Sequence, residues 1–240
     1  YEESREILRD VELEIPACSF VSLVGLSGSG KSTIAGILMG KNKGYKGSVK
    51  LNGRELTEFS SRSVLDKMTM IGHDSWIFKG TVRDNLLLGN PGATEEEMKE
   101  ALKKVNLLSF IEAQGGLAMP LLSNGTNISG GQKQRLSLAR ALLHDTPVYI
   151  FDEATSNIDA ESEEMIMEVI HELAKSRTIL LISHRLANVV GSDCIFMLEN
   201  GRVTEAGKHE ELLKKGGSYS RLFKEQKELE SFSETRKESS

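Results

Sequence analysis

The 240-residue sequence lacks long apolar runs, closely spaced cysteines and an excess of positive charge. Its longest apolar stretches, such as Thr178–Ile182, are the size of a strand, whereas a membrane span requires roughly 18–20 residues. Cys18 and Cys194 lie far apart without metal-ligand spacing, so we expect both to be reduced, buried, small apolar residues. The net charge of -5 argues against broad electrostatic binding to nucleic acid. These features describe a globular chain that can bury a substantial core.

The two ends of the sequence carry little pattern. The chain opens at Tyr1 with neither an initiator methionine nor a signal-peptide pattern, so we expect it to be part of a longer polypeptide. From about Lys224 the residues are charged and rich in serine, which predicts a trailing helix or a disordered tail.

Strand patterns mark both ends of the folded part. Val11, Leu13 and Ile15 alternate with charged residues, which is typical of a half-exposed strand. Nearly continuous apolar runs predict buried parallel strands; they are Phe20–Val24, Val148–Phe151 and Ile179–Ile182. Asn-Gly pairs at 52–53 and 200–201 lie between strand-like segments and predict β-hairpins.

Helical patterns dominate the middle of the sequence. Thr94 and Glu97 form a capping-box pattern that predicts a helix through about Leu108. Ser129 opens a second helix, and Glu161–Ala174 is amphipathic. Because β and helical patterns alternate on both sides of this helical stretch, we predict an α/β fold with a largely parallel sheet.

A glycine-rich loop follows the first buried strand. Residues 25–32 fit the phosphate-loop pattern G-x-x-x-x-G-K-[ST] at every specified position. Backbone N–H groups can close around phosphates, Lys31 can bridge the β- and γ-phosphates, and Ser32 can offer its hydroxyl to Mg²⁺. The alternative is an ordinary turn that caps a helix. The strand before the loop and the helical pattern Thr33–Met39 after it favour a nucleotide site.

Two adjacent acids, Asp152 and Glu153, end the strand pattern that begins at Val148. Ligands of parallel sheets gather at the carboxyl ends of strands, so we expect these acids at the same edge as the phosphate loop. Asp152 would hold Mg²⁺, and Glu153 would orient or deprotonate the attacking water. Taken alone, such a pair is more often a solvated strand end or a helix cap.

A second glycine motif opens the helix at Ser129, where Ser-Gly-Gly offers backbone N–H groups to an anion. A second phosphate site makes sense if it serves a nucleotide held by another copy of the chain. Here the sequence resembles the nucleotide-binding domain of ATP-binding cassette (ABC) transporters, with Ile128–Gln132 similar to the signature motif. Other matching segments are Gly25–Ser32 (Walker A), Val148–Asp152 (Walker B), Ser156–Asp159 (D-loop) and Ile182–Arg185 (switch histidine).

The resemblance implies a fold and an organisation for the whole chain. It implies a P-loop NTPase (RecA-like) core with a mostly parallel sheet, an antiparallel β subdomain and a helical subdomain. The core and β subdomain would be about 1–72 and 145–223, the helical subdomain about 73–144, and the charged tail 224–240.

The resemblance also assigns site residues. For the nucleotide they are Tyr1, Gly25, Leu26, Ser27, Gly28, Ser29, Gly30, Lys31, Ser32, Thr33, Ser129, Gly130, Gly131, Gln132 and Asp159. Tyr1 would stack on adenine. For catalysis they are Glu153, His184 and His73, and for Mg²⁺ they are Ser32, Asp152 and His73. The alternatives are that His184 is a satisfied polar residue at a strand end and that Asp159 is a helix N-cap. We expect His144, His171 and His209 to be surface residues.

The segment Trp76–Asn85 is most similar to the exporter branch of the family. That branch implies a transmembrane domain on the same polypeptide and a location at the cytoplasmic face of the cell membrane. It also implies a second, identical or related, nucleotide-binding domain. The two domains would pair head-to-tail around two ATP molecules and drive export when hydrolysis reopens the pair.

Two positions depart from the family pattern. His73 stands where the family has a glutamine that contacts Mg²⁺, and Ser123 stands where an acidic residue normally precedes the signature. Either His73 supports hydrolysis with altered efficiency, or the chain forms the poorer site of a heterodimeric pair. The retained Glu153 and His184 favour hydrolysis. Other possibilities are a soluble ABC-type ATPase in DNA repair or on the ribosome, and a non-hydrolytic ATP-binding clamp.

Overall fold

The computed structural model describes residues 6–74, 76–156 and 158–238, and of residues 230–238 only the backbone. The strands are β1 Phe20–Val24, β2 Lys50–Leu51, β3 Arg54–Glu55, β4 Met68–Gly72, β5 Gly80–Thr81, β6 Pro120–Leu121, β7 Val148–Asp152, β8 Thr178–Ile182, β9 Cys194–Glu199 and β10 Arg202–Gly207. The helices are α1 Lys31–Leu38, α2 Ser61–Leu65, α3 Val82–Leu87, α4 Glu95–Lys104, α5 Leu108–Ala113, α6 Gly130–His144, α7 Ala160–Ala174, α8 His209–Lys215 and α9 Ser218–Glu238.

The chain divides into two compact units. The first unit contains the residues up to Thr57 and those from Leu180 onward, and the second contains Glu58–Ile179. The boundary between them falls inside β8.

In the first unit the strand order is β10-β9-β1-β8. β1 pairs with β9 in parallel, and β9 pairs with β10 in antiparallel fashion. All five residues of β1 are buried, as its continuous apolar pattern predicts. The hairpins predicted from the two Asn-Gly pairs are confirmed, because β2 pairs with β3 and β9 with β10 across them. This unit therefore contains two antiparallel strand pairs, β2–β3 and β9–β10, in addition to the parallel pair β1–β9.

In the second unit β4 and β7 pair in parallel, with Gly72 opposite Asp152. α4 and α3 pack against α6. The predicted capping box is present, since Thr94 accepts from the Glu97 amide and Glu97 accepts from the Thr94 amide. The helix ends at Lys104 rather than near Leu108. It ends there because Asn106 takes a left-handed φ of 52°, a conformation that terminates helices.

Some expectations from the sequence are wrong. Residues 11–15 alternate in burial as predicted, but they form no strand ladder in the described part of the chain. Cys18 is exposed rather than buried, because it lies in a turn with a φ of 54°. His209 is not simply a surface residue, since its ring packs on Tyr219 and Phe223.

The C-terminal segment is a helix, α9, which extends to Glu238. The sequence left a trailing helix and a disordered tail open, and the structure has the helix. Among the described residues, none of the helices combines the length and the apolar character needed to cross a bilayer.

Candidate nucleotide-binding site

The glycine-rich loop connects β1 to α1 in the first unit. Its glycines are required by backbone geometry, since Gly25, Gly28 and Gly30 have φ values of 149°, 78° and 110°. At Gly25 an added Cβ would lie 2.1 Å from the carbonyl oxygen of Leu198, so no larger residue fits. The loop is therefore held against β9, and α1 begins directly after it at Lys31.

Lys31 is folded over this loop. Its side chain is buried at 5% exposure, and Nζ donates to the carbonyl oxygens of Gly25 at 2.8 Å and Leu26 at 3.1 Å. A buried ammonium needs hydrogen-bond acceptors, and here the loop itself supplies them. The Lys31 ammonium is thus held against the backbone of the loop, and the N-terminus of α1 follows the same loop.

Ser29 provides a direct test of whether the loop suits a phosphate. Its Oγ is buried and, within the described residues, has no hydrogen-bond partner. Buried hydroxyls normally find partners, so an unpartnered one points to a group that the loop is built to receive. An unpartnered donor, a buried ammonium and a helix N-terminus together fit an anionic phosphate.

The remaining loop residues are open to solvent or half-buried. Leu26, Ser27, Gly28 and Ser32 are exposed, and Thr33 is half-buried. Ser32 lies in the first turn of α1, because the helix begins two residues before the predicted Thr33.

The switch-histidine segment lies in the same unit. Ser183 donates its backbone N–H to the carbonyl oxygen of Leu23 in β1, at 3.4 Å. His184 follows Ser183 directly and is exposed. Thus β1 and β8 end side by side, and the structure brings His184 to the strand edge from which the phosphate loop begins.

The acidic pair and His73 lie together in the second unit. Because Gly72 is opposite Asp152 in the parallel ladder, His73 and Glu153 each follow the same end of neighbouring strands. Asp152 is buried at 8% exposure. Glu153 takes a left-handed φ of 53°, a strained conformation for a residue with a side chain, and such strain clusters at functional sites.

The backbone before His73 is tied to the signature helix. Gln134 in α6 is buried and donates Nε2 to the carbonyl oxygen of Gly72 at 2.9 Å. The His73 ring itself lies 3.2 Å from the Asp74 carboxylate, and both side chains are largely exposed. An exposed pair of this kind contributes little energy, so the ring is available to other partners.

The signature motif caps its own helix. Ser129 accepts from the Gln132 amide through Oγ at 3.2 Å, and Gln132 Oε1 accepts from the Ser129 amide at 2.8 Å. This capping box uses the Ser129 and Gln132 side chains, so the backbone of Gly130 and Gly131 forms the helix N-terminus.

Gly131 also has a packing role that the sequence did not indicate. A Cβ added there would lie 2.1 Å from Ser162 Oγ and 3.1 Å from Asp159 Oδ2. Asp159 is the N-cap of α7, which confirms that predicted alternative for it, and it accepts from the Ser162 amide at 2.8 Å. Hydrogen bonds from Ser162 hold the pKa of Asp159 below its usual value. The signature and the D-loop residue therefore meet at two helix N-termini.

We expect Gly131→Ala to destabilise the protein by about 2 kcal/mol, because the added methyl overlaps the buried Ser162 side chain. Urea unfolding measures the change. Gly131→Ala combined with Ser162→Gly should recover part of the loss. Gly44→Ala is the control, since an added Cβ there meets nothing within 4 Å. Equal stability of wild type and Gly131→Ala would contradict the close packing.

The predicted site residues therefore form two groups, one in each unit. The phosphate loop and His184 are together in the first; the acids, His73, the signature and Asp159 are in the second. Tyr1 and Asn157 of the D-loop lie outside the described residues. Gln134 was not predicted as a site residue, although it is a buried polar residue in the stripe that contains Leu138 and Ala141.

The fold and the phosphate loop define a P-loop NTPase, and comparisons with known proteins assign the family. Residues 8–156 match the sequence profile described as ABC transporter. The chain is 46% identical, over 98% of its length, to an uncharacterized ABC transporter ATP-binding protein of Haemophilus influenzae. It is 39% identical, over 90% of its length, to a Staphylococcus aureus protein named as a multidrug export ATP-binding/permease protein.

Solved structures agree. The structure of a bacterial Atm1-family ABC exporter with ATP bound superposes with a TM-score of 0.89 at 34% identity, covering 94% of this chain and 40% of that one. The chain belongs to the ABC transporter family and is a nucleotide-binding domain of that family. It spans 42% and 38% of the length of the two relatives above.

Proposed function

We propose that this chain binds ATP with Mg²⁺ and hydrolyses it as the energy-coupling domain of an exporter. The observation that carries the proposal is the phosphate loop, where the Lys31 ammonium donates to the loop backbone and the buried Ser29 hydroxyl has no partner among the described residues. The Staphylococcus aureus relative and the Atm1-family exporter structure named above support the exporter assignment. The chain spans only part of the length of its relatives, so transport itself would also require a transmembrane domain.

The loop residues would bind the triphosphate. Lys31 would move its ammonium from the carbonyl oxygens of Gly25 and Leu26 to the β- and γ-phosphate oxygens. The N–H groups of residues 25–33 would supply the remaining hydrogen bonds. His184 would donate to the γ-phosphate and so detect whether it is present.

Glu153 would be the general base. It follows the last residue of β7, and its left-handed backbone turns the chain sharply after the buried Asp152. In this role Glu153 accepts a proton from the water that attacks the γ-phosphate.

Ser32, Asp152 and His73 would hold Mg²⁺, which when bound neutralises charge on the β- and γ-phosphate oxygens. Ser32 and Asp152 offer the oxygen atoms that this ion prefers. His73 offers a nitrogen, so we expect it to accept from a water molecule rather than to replace the usual amide oxygen.

His73→Gln is expected to keep or raise the turnover number, because the amide restores an oxygen at this position. Steady-state phosphate release measures it. The matched control is His144→Gln, which changes an exposed histidine that bonds to Thr69. Complete loss of turnover in His73→Gln would show that the imidazole has become essential and would count against this reading.

A second nucleotide-binding domain is the first partner that we propose. At the start of α6 are Ser129, Gly130, Gly131 and Gln132, and the N–H groups of this helix N-terminus would suit a second phosphate in a chain that already has a phosphate loop. A head-to-tail pair would use both, with Asp159 beside the signature of its own chain. Tyr1 would stack on adenine. The pair is either two identical chains or two related ones.

A transmembrane domain is the second partner, at the cytoplasmic face of the membrane. The side chains of Trp76 and Phe78 are 56% and 51% exposed, although both are large and apolar. The Phe78 backbone is held by the buried Asn85 side chain, which bonds to both its N–H and its carbonyl oxygen, and Arg140 donates to the carbonyl oxygen of Trp76. Exposed aromatic residues are typical of interfaces, and the occupant that we propose is a transmembrane domain like the permease named in the Staphylococcus aureus relative.

Sedimentation with and without ATP, alongside phosphate release, tests the proposed function. An exporter ATPase domain should associate with ATP and release phosphate when Mg²⁺ is present. Association without phosphate release would favour a non-hydrolytic clamp, for which the His73 position is the supporting observation. A protein that neither associates with ATP nor releases phosphate would overturn the proposal.

The proposal includes a division of the chain into an α/β core, a helical subdomain at about 73–144 and a tail at 224–240.

A further inference from the structure

Helix α9 contacts the backbone of the switch-histidine segment. The side-chain amide of Gln226 donates through Nε2 to the carbonyl oxygen of His184. The same amide accepts through Oε1 from the N–H of Leu186 at 2.9 Å. One side chain therefore joins both sides of the peptide segment that contains His184 and Arg185. Gln226 belongs to none of the sequence motifs of the site.

The helix that carries Gln226 is itself anchored at its start. Glu205 accepts from the Tyr219 N–H at 3.1 Å. The Tyr219 ring is fully buried and stacks on Phe223 with centroids 6.2 Å apart. The Tyr219 hydroxyl lies 2.8 Å from Nδ1 of His209. Since Tyr219, Phe223 and Gln226 follow the i, i+4, i+7 spacing, one face of α9 packs on its unit and also reaches the His184 segment.

A second side chain holds the same segment from within. Ser183 Oγ accepts from the Arg185 N–H and donates to the Arg185 carbonyl oxygen, both at 3.0 Å. The backbone from Ser183 to Leu186 is thus fixed by two side chains, whereas the His184 residue is exposed. Because its backbone is fixed, the exposed His184 side chain starts from a defined position and remains accessible to a ligand.

We infer that Gln226 is a positioning residue for His184, and this inference rests on the proposed function of His184 as the group that contacts the γ-phosphate. An amide is needed because one bond uses a donor and the other an acceptor. The length of the glutamine side chain is needed because its partners, the His184 carbonyl oxygen and the Leu186 N–H, lie outside α9. Through Gln226, helix α9 sets where the histidine ring meets the nucleotide, and so the C-terminal segment contributes to catalysis without touching ATP.

Gln226→Met tests the inference, because methionine keeps the length and the helix preference but makes neither bond. We expect kcat for ATP hydrolysis to fall about tenfold, while KM for ATP changes by less than about twofold. KM is preserved because Lys31 and its loop are unchanged. The matched control is Lys227→Met, which alters the next, exposed residue of α9 and should leave kcat unchanged.

Hydrogen exchange at single amides provides the second readout. In Gln226→Met the Leu186 amide should exchange faster, while the Leu181 amide in β8 keeps its protection. Gln226→Glu should protect Leu186 but still lower kcat, since its carboxylate oxygen faces the His184 carbonyl and cannot donate. This variant also serves if Gln226→Met does not fold.

Three results would overturn the inference. They are a kcat within twofold of wild type in both Gln226 variants, an equal fall in Lys227→Met, and unchanged Leu186 exchange in Gln226→Met. A wild type that hydrolyses no ATP would instead refute the proposed function. The exchange comparison would still decide whether Gln226 holds the His184 backbone.

Discussion

Lys31→Ala is expected to weaken ATP binding by about 100-fold and to remove measurable hydrolysis. The ammonium is the cation that the loop presents, and charged hydrogen bonds to phosphate oxygens are worth about 1.5–3 kcal/mol each. Loss of about 2.7 kcal/mol corresponds to a hundredfold change in affinity. Isothermal titration with ATP and Mg²⁺ measures the binding directly.

The control for this experiment is Lys43→Ala, which removes the same charge from an exposed position of the same unit. Its ATP affinity should match that of wild type. The melting temperature of Lys31→Ala must also be compared with wild type, because the Gly25 and Leu26 carbonyl oxygens lose a donor. If a folded Lys31→Ala protein binds ATP as tightly as wild type does, residues 25–32 are not the phosphate site.

Glu153→Gln is expected to lower kcat by about 1,000-fold and to leave ATP affinity nearly unchanged. A positioned general base contributes about 10²- to 10⁴-fold to the rate, and glutamine has the same shape but cannot take a proton. The variant should therefore accumulate in the ATP-bound, associated state. Phosphate release and sedimentation with ATP measure the two effects separately.

Glu164→Gln, in the exposed part of α7, is the matched control for loss of one negative charge. It should hydrolyse ATP at the wild-type rate. Wild-type turnover in Glu153→Gln would mean that another group accepts the proton, and the strained backbone at Glu153 would then need a different explanation. Weak ATP binding by Glu153→Gln would contradict a purely catalytic role.

Local features were predicted well because neighbouring residues generate them. The turns at Asn52 and Asn200 depend on residues that tolerate a left-handed φ, and they appear where expected. The capping box at Thr94 likewise needs partners only three residues apart. The end of α4 was predicted too late, because Asn106 ends the helix by its backbone conformation while the apolar pattern continues to Leu108.

Hydrogen bonds between a side chain and a distant segment of the chain could not be predicted. Gln134 reaches Gly72 across 62 residues, and Gln226 reaches His184 across 42. Both glutamines are polar residues in helices, and their neighbours in the sequence do not indicate which distant backbone group each one bonds to. The packing of Gly131 on Ser162 could not be predicted either. The signature motif predicts a phosphate site, whereas the close contact between Gly131 and Ser162 is seen only in the folded structure.

The sequence by itself determined the family motifs and so the chemistry that we propose, because the phosphate loop, the acidic pair and the signature are each short segments of neighbouring residues. The tertiary structure alone decided what holds these segments in place, including the buried position of Lys31 and the link from α9 to His184. The physical reason is that a hydrogen bond depends on the distance between two groups, and that distance is set by packing rather than by position along the chain.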